Sequence, residues 1–122
     1  MNNQDLILDH YHHPKNFGTL DAPTYSAHTE NLSCGDSLTM DIIVKDGIIE
    51  RVGWTGNGCA LSQASASILS ECIQEKFESD VKNLSKETLL SLLGIETLSP
   101  ARTRCALLSL ETVKRALEKS NQ

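Results

Sequence analysis

Leu38-Thr39-Met40-Asp41-Ile42-Ile43-Val44-Lys45-Asp46-Gly47-Ile48-Ile49-Glu50-Arg51-Val52-Gly53-Trp54 is the stretch whose reading decides the fold. Leu38, Met40, Ile42 and Val44 alternate with Thr39, Asp41, Ile43 and Lys45, the period-two pattern of a strand with one buried face. Asp46-Gly47 supplies a two-residue hairpin turn, and Ile48 to Trp54 reads as the returning strand. Upstream, Tyr25 to Asn31 alternates more weakly and is expected to add a third antiparallel strand.

Working outward, Leu6, Ile7 and Tyr11 recur at helical spacing from Asp5 to Tyr11, and Pro14, Asn16 and Gly18 stop the pattern. After Gly56-Asn57-Gly58, a run of small residues carries Leu61, Ser65, Ile68, Cys72 and Ile73 as one helical stripe, predicting a helix to about Phe77. Ser85 caps a second helix through Leu93 that Gly94 ends. Ser99-Pro100 opens a last helix with Ala106, Leu110, Val113 and Leu117 on its buried side. The expected fold is α+β: a three-stranded antiparallel sheet with an N-terminal helix and C-terminal helices packed on one face. Residues 1–122 are expected to form one domain.

The 122 residues hold 11 Lys plus Arg against 16 Asp plus Glu, a net charge of −5, and no long apolar run. Neither a signal peptide nor a membrane span is expected, so the expected location is cytoplasmic and no membrane partner is anticipated. A deficit of cations and an aromatic content of 4% also argue against nucleic acid as a partner. The charge is uneven. Residues 1–100 carry 6 basic and 14 acidic side chains, and residues 101–122 carry 5 and 2, so the last helix is a basic patch (+3) on an acidic chain. It serves either as a solvated face or as a docking surface.

Cys34, Cys59, Cys72 and Cys105 show no C-x-x-C spacing, and a reducing compartment disfavours disulfides, leaving metal binding or thiol chemistry. In Cys34-Gly35-Asp36 a thiol and a carboxylate two residues apart point the same way from an extended segment, where both can ligate one ion; the plainer reading is an ordinary turn. Cys59 follows Gly56-Asn57-Gly58 at a helix N-terminus, where the helix dipole favours a thiolate; alternatively it is a small buried hydrophobe. Arg102-Thr103-Arg104-Cys105 sets two guanidinium groups beside a sulfur, to stabilise its ionised form or to guide an acidic partner; alternatively both are solvated. Cys72, with no such context, is assigned to the core. His10, His12 and His13 read as a helix end with solvated rings rather than a second metal site, and His28 has no evident role.

Three sulfurs and one carboxylate complete a tetrahedral zinc set and equally suit part of an iron-sulfur cluster. A hard oxygen among soft thiolates exchanges readily, which suggests transfer rather than scaffolding of the fold.

Taken together, these segments resemble the U-type iron-sulfur assembly scaffold family, comprising IscU, SufU and the N-terminal domain of NifU. Asp9-His10-Tyr11-His12-His13-Pro14-Lys15-Asn16-Phe17-Gly18 is similar to its D-H-Y-x-x-P-x-N-x-G, and Cys34-Gly35-Asp36 follows. Gly56-Asn57-Gly58-Cys59-Ala60-Leu61-Ser62-Gln63-Ala64-Ser65 matches G-x-G-C-x-x-S-x-A-S, and Arg102-Thr103-Arg104-Cys105-Ala106 resembles the R-x-K-C-A of the SufU branch. The resemblance implies a SufE/NifU-like fold and a metal or cluster set of Cys34, Asp36, Cys59 and Cys105, with Asp36 the exchangeable ligand. It implies Cys105 or Cys59 as persulfide acceptor. The implied cargo is iron or a [2Fe-2S] cluster, with zinc in a sulfurtransferase form, and the implied partners are a cysteine desulfurase and apo iron-sulfur proteins. Either a monomer or a homodimer fits. Two features depart from the pattern. Arg104 stands where IscU has His, and just before it Leu98-Ser99-Pro100-Ala101-Arg102 stands in place of L-P-P-V-K, which tells against recognition by the dedicated chaperone. The 46 positions from Cys59 to Cys105 leave no room for the usual SufU insertion, so the branch stays open.

Overall fold

The computed structural model describes residues 3–32, 35–95 and 99–118. Helix α1 (Asn3–His12) precedes strands β1 (Tyr25–Asn31), β2 (Asp36–Lys45) and β3 (Ile48–Asn57). Helices α2 (Ala60–Ile73), α3 (Glu78–Lys82), α4 (Lys86–Leu92) and α5 (Pro100–Glu118) follow. The strands form one antiparallel sheet in the order β1-β2-β3, as the alternating pattern requires.

Asp46 (φ 55°) and Gly47 (φ 79°) both adopt the left-handed conformation that a tight hairpin with matching strand twist demands. Met40 pairs with Trp54 and Ile42 with Val52, and all four side chains are buried. A register shift between Ile43 and Val44 then inserts an extra residue into β3. Ile49 and Val52, three apart in sequence, are therefore both buried. Strict alternation does not anticipate this irregularity.

The outer edge of β3 is covered. Gly18 N–H donates to the Trp54 carbonyl and Trp54 N–H to that of Asn16, while Glu75 and Lys76 exchange backbone bonds with Ile49. Covering an edge removes its unpaired backbone groups from other chains. It also explains a correction: α2 ends at Ile73 rather than near Phe77. The chain turns at Glu75 (φ 67°) to pair with β3, and the short α3, which periodicity did not suggest, follows.

The remaining ends are as expected. The Ser85 hydroxyl accepts from Thr88 N–H at 3.2 Å to cap α4, Gly94 (φ 70°) follows its end, and Pro100 occupies the first turn of α5. Helix α5 lies across β1 and β2, and α2 packs against β3, α1 and α5. One apolar core joins Met40, Ile42, Ile49 and Trp54 of the sheet to Leu61 and Leu69 of α2 and to Leu110, Val113 and Leu117 of α5. The N-terminal segment is held by polar contacts to α2 and β3: His10 Nδ1 lies 2.7 Å from Ser67 Oγ of α2, which also accepts from Lys15 N–H, and Trp54 Nε1 of β3 donates to the Lys15 carbonyl.

Candidate metal centre

The start of β2, the start of α2 and the second turn of α5 meet at the end of the sheet away from the Asp46-Gly47 turn. Asp36 is the first residue of β2 and is 3% exposed. Gly35 before it takes φ +74°, a turn conformation open to glycine at no steric cost. Cys59 is the N-cap of α2, with extended backbone (φ −72°, ψ 166°) and an exposed thiol. Its side chain does not cap the helix. The Asp36 carboxylate does so in its place: Oδ1 accepts the Cys59 backbone N–H at 3.2 Å, and Oδ2 lies 3.7 Å from Cys59 Sγ. A carboxylate at a helix N-terminus meets both an orphan donor and the positive end of the dipole.

Gly58 makes that approach possible. A Cβ there would stand 2.5 Å from Asp36 Oδ1 and 2.7 Å from Ser62 Oγ, closer than side-chain carbons come. Ser62 donates to the Cys59 carbonyl, and Gln63 Nε2 donates to that of Gly58, bracing the loop from the helix side. Cys105 arrives from the second turn of α5 and is 8% exposed. One ligand atom each from Asp36, Cys59 and Cys105 lie within 4.8 Å of one another. Thiolates bound to zinc at about 2.3 Å in a tetrahedron stand about 3.8 Å apart, so a contraction on the order of 1 Å closes the set. The donor chemistry therefore fits a thiophilic metal. Cys34, two residues before Asp36, lies outside the described residues.

The other candidates separate from this cluster. Cys72 sits thirteen residues beyond Cys59 on α2, roughly 20 Å along the helix axis, and is only partly buried. Its assignment to the core is thus corrected: position 72 lies at the border of the buried stripe whose centre is Leu69 and Ile73. The histidine reading is corrected for one ring. His10 is buried on Ser67, because α1 packs on α2 through that face, whereas His12 and His13 are exposed. His28 bridges Thr39 Oγ1 (2.7 Å) and Glu30 (3.0 Å) on the exposed side of the sheet. Arg102 and Arg104 are both exposed.

The sequence places Ser65 on the buried stripe of α2, and Ser62 and Ser65 both fall in the G-x-G-C-x-x-S-x-A-S match, but neither receives a role there. Ser65 Oγ donates to the Ala106 carbonyl at 2.6 Å, tying α2 to α5 beside Cys105. The available signal was a serine every few residues along a buried helix, where hydroxyls must find partners.

An α+β scaffold that gathers two thiols and a carboxylate at the open end of a hairpin and the starts of two helices defines a small protein with an oxygen-sulfur donor set of metal-site dimensions. The model of the NifU-like N-terminal domain matches residues 2–122, and the chain belongs to that family. The iron-sulfur cluster assembly scaffold protein IscU of Thermotoga maritima is 33% identical, over 94% of this chain and 92% of its own. The zinc-dependent sulfurtransferase SufU of Bacillus subtilis is 29% identical, over 95% and 89%. Among solved structures, a candidate iron-sulfur cluster assembly scaffold for the SUF system from Fervidobacterium islandicum superposes with TM-score 0.79 at 26% identity, covering 93% of this chain and 94% of that one. The N-terminal domain of a NifU-like protein from Brucella abortus gives 0.77 at 17% identity, over 95% and 92%, a likeness of fold. Among the described residues no helix is long and apolar enough to cross a membrane.

Proposed function

We propose that this chain, as one domain, is an iron-sulfur assembly scaffold that takes sulfur from a cysteine desulfurase and holds iron or a nascent [2Fe-2S] cluster on Cys34, Asp36, Cys59 and Cys105. The observation that carries the reading is the approach of Asp36, Cys59 and Cys105 within 4.8 Å in a NifU-like chain. Sulfur enters by exchange: the thiolate of Cys105 or Cys59 attacks the outer sulfur of a donor persulfide, the donor S–S bond breaks, the donor leaves as a thiolate, and a new S–S bond forms on the acceptor. That step has no net redox change. Turning the delivered sulfane sulfur into sulfide takes two electrons, supplied in the assay by a dithiol. Asp36 offers the cargo an oxygen that lets go readily, so that a cluster built here can pass to an apo-protein.

Anaerobic reconstitution with iron, cysteine, a desulfurase and dithiol tests this. A cluster absorbance is expected that Cys34→Ser, Cys59→Ser and Cys105→Ser each abolish and Cys72→Ser spares. A cluster that survives loss of Cys105 defeats the assignment.

The Arg-x-Arg-Cys-Ala segment and the similarity to SufU favour a second reading, a zinc-dependent sulfurtransferase that activates the desulfurase. Zinc on the same donors would keep the thiols ionised. Zinc-dependent acceleration of desulfurase turnover, with no cluster retained, selects this reading over the first.

A further inference from the structure

The polar bond between α2 and α5 lies one peptide away from Cys105. Ser65 Oγ donates to the Ala106 carbonyl at 2.6 Å and lies 3.0 Å from Ser109 Oγ, and all three residues are fully buried. Ser65 stands six residues along α2 from Cys59, about 9 Å of helix rise. The bond thus joins the helix that presents one thiol to the turn that presents the other. A carbonyl within a helix already accepts from the amide four residues on, and the serine engages its second lone pair. Helix α5 does not need this bond for its own backbone.

What it adds is direction. The apolar residues that α2 and α5 bury together attract without preferred orientation, so they tolerate a slide of one helix along the other. A hydrogen bond at 2.6 Å does not. Metal sites tolerate only a few tenths of an ångström in ligand distance. We propose that Ser65 is a positioning residue: it fixes α5 against α2 and so sets the separation of Cys59 Sγ and Cys105 Sγ. This rests on the reading of the donor set as a metal site.

The test is titration of the full chain with cobalt(II) alone, following the visible bands of thiolate-bound tetrahedral cobalt, for the wild type, Ser65→Ala and Ser109→Ala. Ser65→Ala is expected to bind cobalt about tenfold more weakly, the scale of one directional bond. Its bands should weaken, and its melting midpoint should stay within about 5 °C of the wild type. Ser109→Ala removes a hydroxyl of equal size from the same place but keeps the Ser65–Ala106 bond, so it should match the wild type in affinity and spectrum. Wild-type behaviour of Ser65→Ala, or an equal loss in Ser109→Ala, overturns the positioning role while leaving the metal site standing. A wild-type chain that binds no cobalt defeats the metal-site reading itself and the role of Ser65 with it.

Discussion

Asp36 reaches Cys59 twice, through the backbone N–H at 3.2 Å and towards the sulfur at 3.7 Å. The same carboxylate is thus a helix cap and the oxygen of the donor set. When it leaves a bound ion it still has a partner, which lowers the cost of letting go.

Asp36→Ala is therefore expected to cost the metal-free protein about 1 kcal/mol through the lost cap. Asp36→Asn keeps an acceptor oxygen and should cost only a few tenths. Both are read from urea melts. Zinc or iron loaded into Asp36→Ala should pass to a chelator no faster than from the wild type, because the thiolates carry the affinity. A large stability loss in the zinc-loaded protein, together with rapid release, would instead mark a structural zinc site.

Gly58→Ala places a carbon 2.5 Å from Asp36 Oδ1 and 2.7 Å from Ser62 Oγ. Either the carboxylate or the loop must give way, at about 1–3 kcal/mol. Because the displaced group belongs to the donor set, metal titration should show weakened binding beyond the shift in the melt.

How much of this was legible differs by element. The hairpin could be read because alternation and Asp46-Gly47 agree, and Ser85, Gly94 and Pro100 marked helix ends by local chemistry. The end of α2 could not, since Glu75 and Lys76 leave the helix to cover β3, a tertiary demand that periodicity does not carry. The same holds at the site. Asp36, Cys59 and Cys105 were legible as chemical types, but Ser65 is meaningful only once Ala106, forty-one residues away, is beside it. Cys72 and His10 were misjudged for one reason: which side of a helix faces the core depends on what packs against it.

His10 and its neighbours give a direct check of that point. His10→Ala removes a buried ring and its contact with Ser67 and should cost about 2–3 kcal/mol. His12→Ala and His13→Ala alter exposed side chains and should stay within about 0.5 kcal/mol. Urea titration followed by the fluorescence of Trp54, the sole tryptophan, reads all three.

The basic patch at the start of α5 offers the last prediction. Arg102 and Arg104 are exposed on either side of Thr103, and Arg104 also lines, with Lys114, Glu30, Glu111, Leu32 and Leu107, a cavity of about 600 Å³ between the end of β1 and α5. Among the described residues neither arginine has an acidic partner within ion-pair distance. Changing both to Glu takes residues 101–122 from +3 to −1. Exposed ion pairs are worth about 0.2–1 kcal/mol each, so two reversals should weaken a desulfurase complex by about 1–2 kcal/mol, or roughly 5- to 30-fold. The loss should shrink as salt is raised, because the screening length falls to about 8 Å at physiological ionic strength. Metal content should not change, since neither guanidinium is in the donor set. Calorimetric binding at two salt concentrations, with metal analysis of the same samples, separates a docking surface from a solvated face: unchanged affinity at low salt returns both arginines to solvent.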